Sequence, residues 1–327
     1  MSAAQHWSPE GFERYRELYP RTPPLVPQPD TVWSGRFVTA WHEGIEAVGR
    51  ALRAHAGRTT VVFVRGYLGH YMPGNLSAPC STLRHLGFDA FIARNRAGGN
   101  VAGNVAALAR QLFERPTRER LVFCGHSRGG LECLALLAED ASIARRCNGV
   151  GLSQTPHGPS FVMESILQGR HRGPSFSRRR RAAETVQHAL LALMGARSGG
   201  RELTSAVWPA LVARVDRIRW PFPVLQTASW SSRPTAWLDS FHERLAEIGP
   251  GRAHDGQFFL DDLIWPGLPH VLLPHVDHAQ PAVGGHGFDP VRYWLAVLSV
   301  LLGMSTSDVD LPARVRTEPE TVRAHGV

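Results

Sequence analysis

"LVFCGHSRGGLECLALL" (residues 121–137) passes from an apolar run through Gly-His-Ser-Arg-Gly-Gly and back into apolar residues. Leu121 to Cys124 read as a buried strand, and Leu131, Leu134 and Ala138 recur at helical spacing, so Ser127 stands on a strand-to-helix turn. A turn that sharp leaves no room for side chains two residues before or after the serine, and Gly125 and Gly129 supply none. It lifts the Ser127 hydroxyl clear of the sheet, while the following helix aims unpaired N–H groups at negative charge developing beside it. This is the G-x-S-x-G nucleophile elbow, whose weight comes from its strand and helix rather than from two glycines.

Strands and helices alternate outward from this turn. "TTVVFVRGYLG" (59–69) reads as a strand ending in a glycine turn, "FDAFIAR" (88–94) as a second strand, and "NVAGNVAALARQLFER" (100–115) as an amphipathic helix. "NGVGLSQT" (148–155), "FPVLQTASW" (222–230) and "HVLLPHV" (270–276) supply three more strands. The order predicts an α/β fold, a mostly parallel central sheet flanked by helices. Residues 1–35 contain "YPRTPPLVPQPD" and read as a proline-rich arm before a domain over 36–304. Residues 159–219 break the alternation with two or three helices, a cap insertion over the carboxyl ends of the strands. Residues 305–327 form a polar tail.

Composition removes whole classes of function. The 43% apolar content belongs to a globular chain, and 327 residues can bury a sizeable core. No lysine occurs, so all 36 basic residues of the Lys+Arg count are arginine. That excludes Schiff-base, P-loop and kinase-type lysine chemistry. Cys80, Cys124, Cys133 and Cys147 form no C-x-x-C pair, which disfavours a disulfide framework or zinc knuckle. With no transmembrane-length apolar run and no standard export signal, the expected location is the cytoplasm. The net charge of +8 raises nucleic acid or an anionic membrane as partners. The excess is partly local to "SRRRRAAETVQ" (177–187) and the tail, which suits a solvated face, and no nucleic-acid motif accompanies it.

A serine needs a base to take its proton and an acid to orient that base. On this fold the order is serine, acid, histidine. "HVLLPHVDHAQP" offers His275 and His278, and His278 is the one beyond the strand; His286 is the further alternative. "RAHDGQFFLDD" places Asp255 in an Asp-Gly turn whose chemistry predicts exposure, with Asp261 and Asp262 following and Asp239 in a predicted helix. Asp277 adjoins His278, but neighbours in extended chain point to opposite sides. The oxyanion donors expected are the amides of Arg128 and Tyr67, with Gly66 permitting close approach. Leu68 in that turn, and Leu191 and Met194 in the cap, are the expected substrate contacts.

These segments together resemble the α/β-hydrolase superfamily, and within it bacterial lipases and esterases. "GHSRGGLE" resembles their elbow, "QTPHGPS" (154–160) is similar to the Thr-Pro-His segment after the next strand, and "HDGQF" and "VDHAQP" resemble the acid and histidine segments. The correspondence runs over residues 59–302. The resemblance implies hydrolysis of a small-molecule or lipid ester through an acyl-serine, without cofactor or metal. Arg65-Gly66 departs from the His-Gly common in lipases: it keeps the glycine and changes the charge beside it.

Three other readings stand beside this one. "HVDH" (275–278) is part of a metallohydrolase motif, but Leu273 occupies the place of its first histidine and no second ligand cluster appears. An acyltransferase or thioesterase would use the same three residues with a different acyl acceptor. A non-catalytic interaction protein on the same fold would use the arginine run to dock an acidic partner.

Overall fold

The computed structural model describes residues 31–168, 178–231 and 241–303. The first 30 residues, the tail beyond residue 303 and Asp239 therefore lie outside the described residues, as do the side chains of Arg178 to Arg181. Helix α1 (Thr31–Ala56) starts inside the segment that proline content assigns to the arm. Gly44, at φ 82°, divides it into two helical stretches.

The chain then runs through β1 (Thr59–Val64), α2 (Ser77–His85), β2 (Asp89–Ile92), α3 (Val101–Glu114), β3 (Arg120–His126), α4 (Arg128–Glu139), α5 (Ala141–Arg146) and β4 (Cys147–Ser153). It continues as α6 (Phe161–Gln168), α7 (Arg178–Leu193), α8 (Arg197–Glu202), α9 (Trp208–Val212), β5 (Val224–Trp230), α10 (His242–Ile248), β6 (His270–Pro274), α11 (Gln280–Val283) and α12 (Pro290–Gly303). Where the sequence suggests two or three helices between β4 and β5, four are described. The extra ones are a glycine-containing turn of helix at α8 and a proline-started one at α9.

The six strands form one sheet in the order β2-β1-β3-β4-β5-β6, all neighbours parallel. Helices cover both faces, which is why β1, β4 and β5 read as nearly unbroken runs of buried residues. Alternate side chains serve two cores. Val62 and Val64 of β1 and Phe123 of β3 pack under α3 and α4, while Val61, Phe63 and Val122 pack under α1, α2 and α12. The four cysteines are buried and unpaired. Among the described residues no helix is long and apolar enough to cross a membrane.

The strand order decides where a site can form. The chain goes from β1 outward to β2, then returns past β1 to β3, so β1 and β3 flank the point at which the winding reverses. Connections leave the carboxyl ends of these two strands in opposite directions, opening a crevice between them. Ser127 and Gly66 lie there.

Candidate active site

Ser127 joins β3 to α4 at φ 55° and ψ −134°, a conformation that side chains rarely adopt. The glycines around it are required by space. A Cβ on Gly125 would collide with the Gly130 backbone, and one on Gly129 with the Val64 carbonyl and, at 2.8 Å, the Arg65 carbonyl. Gly130 is equally closed, by the Thr155 side chain. The parallel register of β1 with β3, Val64 beside Gly125, brings Gly66 alongside Ser127 two residues on.

His278 follows β6 after a turn at His275, which is exposed and takes φ 61°. The Nδ1–H of His278 donates to Asp255 Oδ2 at 2.6 Å, and its backbone N–H donates to the Asp255 carbonyl at 2.9 Å. The other carboxylate oxygen accepts the Gln257 and Phe258 amides, both at 2.9 Å. Asp255 is 0% exposed, which corrects the exposure expected from its Asp-Gly turn. The turn, with Gly256 at φ 97°, folds inward, and its own amides and the imidazole replace water around the carboxylate.

Asp277 is engaged elsewhere. Its Oδ1 accepts the Ala279 and Gln280 amides at 3.0 Å each, in the turn that leads into α11. Asp261 accepts Arg252 Nη2 at both carboxylate oxygens, at 2.7 Å to Oδ1 and 2.6 Å to Oδ2. Asp262, beside it, has one oxygen buried without a hydrogen bond. Burial, reinforced by the Asp261 charge and opposed by Arg252, raises the Asp262 carboxyl to about 7.

Ser127 and His278 open into one mostly apolar cavity of about 350 Å³. Tyr67, Leu68, Leu191 and Met194 line the same cavity. Arg128 opens α4, where an amide has no intrahelical acceptor, and the Tyr67 amide likewise has no acceptor among the described residues. Among the described residues no group of three or more His, Cys, Asp or Glu could hold a metal ion.

No family's sequence model matches this chain, and no curated protein matches it. Solved structures do. A metagenomic carboxyl esterase superposes with a TM-score of 0.57 at 19% identity over 76% of each chain. A Bacillus licheniformis lipase in its mature form gives 0.53 at 17% identity, over 73% of this chain and 92% of that one. The Staphylococcus hyicus lipase gives 0.51 at 11% identity, over 75% and 95%. The chain has the α/β-hydrolase fold.

Two residues that sequence reasoning passed over brace the loop of His278. His126, inside the elbow, donates from Nε2 to the His278 carbonyl at 2.7 Å. Burial, with the His278 charge adding to it, lowers His126 to about 3, so it stays neutral. Gln154, at φ 47° after β4, donates from Nε2 to the Asp277 carbonyl at 2.8 Å and also to the Ser229 hydroxyl. Both sit at strand ends, inside the quoted "GHSRGGLE" and "QTPHGPS" segments, which do not reveal the distant carbonyls they reach. Met163, Ile166 and Phe258 were likewise missed as cavity walls; the i,i+3 spacing of the first two on α6 was legible as an apolar face without revealing what it faces.

Proposed function

We propose that this α/β-hydrolase cleaves carboxylic esters through an acyl-serine intermediate, with Ser127 as nucleophile, His278 as base and Asp255 as the acid that orients it. The observation that carries this reading is the 2.6 Å bond from His278 Nδ1 to the sealed carboxylate of Asp255, with His278 sharing a cavity with the elbow serine. The bond fixes the proton on Nδ1, so Nε2 is the unprotonated nitrogen that accepts the Ser127 proton as the oxygen attacks the ester carbonyl. The developing oxyanion is stabilised by the Arg128 and Tyr67 amides. His278 then returns the proton to the departing alcohol, and water activated by the same imidazole releases the acid.

The substrate in this reading is a small-molecule or lipid ester whose acyl part lies in the apolar cavity. The segment carrying α6 to α9 is a cap, and its residues Leu191 and Met194, with Leu68 below, select among acyl chains. A fluorophosphonate probe should label Ser127 stoichiometrically, and nitrophenyl esters should be hydrolysed. Turnover with water matched against alcohol and thiol acceptors separates hydrolysis from acyl transfer. No labelling at Ser127 together with no ester turnover would refute the reading.

A further inference from the structure

Arg128 is completely sealed, although it immediately follows Ser127. Its Nε lies 3.1 Å from Oε1 of Glu132, one turn along α4, whose side chain is 1% exposed. Glu132 also accepts the Nδ2 groups of Asn95 at 2.8 Å and Asn104 at 2.7 Å. The contact with Glu132 lacks hydrogen-bond alignment, and none of the three guanidinium nitrogens makes a hydrogen bond among the described residues. Charge and packing contribute most of what holds the group, with the short Nε–Oε1 contact to Glu132. A buried ion pair adds little net stability over apolar side chains of the same volume, so the interest of this one lies in what surrounds it.

The turn after β1 and helix α8 meet on this guanidinium. The Tyr67 ring lies over it, 5.2 Å from centroid to Cζ, so the two residues assigned as oxyanion donors also touch through their side chains. Gly199 of α8 is pressed against it: a Cβ there would come 2.6 Å from Nη1 and 2.5 to 2.6 Å from the Gly99 and Gly98 carbonyls. Glu202, at the end of α8, feels the Arg128 charge and accepts the Val101 amide at 2.7 Å. The same segment is tied down by Tyr67 Oη donating to the Ala196 carbonyl at 2.8 Å, and by the Gly199 amide donating to the Gly98 carbonyl at 3.2 Å.

We propose that the Arg128 side chain is a positioning group that couples the docking of α8 to the geometry of the oxyanion site. This rests on the assignment of the Arg128 and Tyr67 amides as oxyanion donors. With α8 seated, the cation lies on the Glu132 carboxylate of its own helix, against Gly199 of α8 and within electrostatic reach of Glu202, and it holds the Tyr67 ring beside it. When α8 lifts, water screens the cation and releases Tyr67, so the amide loses its aim. A catalytic competence that depends on a seated α8 is the consequence.

The test pairs stability with kinetics. Arg128→Met keeps the backbone amide and removes the charge; combined with Glu132→Leu it removes the whole ion pair. The double variant also takes an acceptor from the Asn95 and Asn104 amides, so its melting temperature is expected to fall somewhat while the protein stays folded at assay temperature. Its kcat on an acetate ester should nevertheless stay at least tenfold low, with KM changed less than threefold. Hydrogen exchange of amides 196–202 should quicken at least tenfold, while the fluorophosphonate probe still labels Ser127 to completion, only more slowly. A stable double variant with wild-type kcat, or with unchanged exchange in α8, would overturn the proposal.

Should the double variant fold poorly, Glu202→Gln gives the answer from the other side. It keeps an acceptor for Val101 and removes only charge; at pH 8 kcat should fall at least threefold with faster α8 exchange. No change in either would equally overturn the coupling. If wild-type protein neither labels at Ser127 nor turns over esters, the ester-hydrolase reading fails by itself, and the exchange experiment still reports on the clamp.

Discussion

Gly66 and Ser127 face each other across the β1–β3 crevice so closely that a methyl group on Gly66 would lie 2.7 Å from the serine Cβ and 3.2 Å from its Oγ. The His126 carbonyl closes the same space at 3.0 Å. Gly66→Ala must therefore push the elbow or the Tyr67 turn aside, because neither neighbour is the free end of a flexible side chain. We expect kcat to fall at least about tenfold, since small misplacements of reacting groups are costly. Gly57→Ala, where an added Cβ meets nothing within 4 Å, is the control and should leave turnover unchanged. Equal activity of the two variants would show that the crevice tolerates movement.

Ser127→Ala and His278→Ala should each lower kcat by roughly a thousandfold or more, and the two together by little beyond either one, because residues that act as a unit are not additive. Asp255→Asn should keep the fold, since the His278 backbone bond to the Asp255 carbonyl does not use the carboxylate. It should still lose much of the rate, through the wrong imidazole tautomer. If Asp262→Asn or Asp239→Asn shows that loss and Asp255→Asn does not, the acid has been misassigned. Single-turnover kinetics on these single variants and the double decide it.

Asp262 gives a pH test with a definite sign. Its folded value of about 7 lies above the ordinary carboxylate range, so between about pH 4 and 7 the folded protein holds a proton that the unfolded chain has released. This contribution is fully present below the unfolded value and is lost as pH rises through 7. Asp262→Asn removes the titration, so its stability relative to wild type should improve from pH 5 to pH 8, by about 1 kcal/mol or more. Chemical denaturation at the two pH values measures it; a difference independent of pH would contradict the assignment.

The two cap residues expected to touch substrate differ in burial, and that separates packing from recognition. Leu191 is 6% exposed and belongs to the core beneath α7, whereas Met194 is 36% exposed at the cavity rim. Met194→Gln should weaken long acyl esters about fivefold relative to acetate, the equivalent of ~1 kcal/mol of lost apolar burial, with little change in melting temperature. Leu191→Gln should lose stability as well. An equal loss on short and long esters in Met194→Gln would remove it from the substrate contacts.

The six strands were legible because a parallel sheet covered on both faces writes itself as apolar runs, and β3 and β6 could be bounded by the turns after them. The elbow was legible because its glycines answer a local steric demand. Asp255 and His278 were chosen by position after successive strands, and the structure brings these two side chains together. The features that stayed hidden were non-local. His126 and Gln154 act by donating to carbonyls more than 120 residues away, and no local pattern encodes such a partner. α1 was obscured by the prolines before it. The enclosure of Asp255 was missed because an Asp-Gly turn specifies a backbone shape and says nothing about the residues that pack over it.

Leu68, Ser127, Gln154 and His275 all hold left-handed backbone without being glycine, and they follow β1, β3, β4 and β6 at one edge of the sheet. Each such residue costs on the order of 1 to 3 kcal/mol, a burden the two cores must outweigh. Selection for heat resistance alone would act on these same positions: glycine at Gln154 or His275 relaxes the backbone, and at Gln154 it also removes the brace on the His278 loop. A laboratory lineage evolved for survival at high temperature, with no demand for turnover, should collect its gains along this edge and lose the arrangement of Ser127 and His278 first.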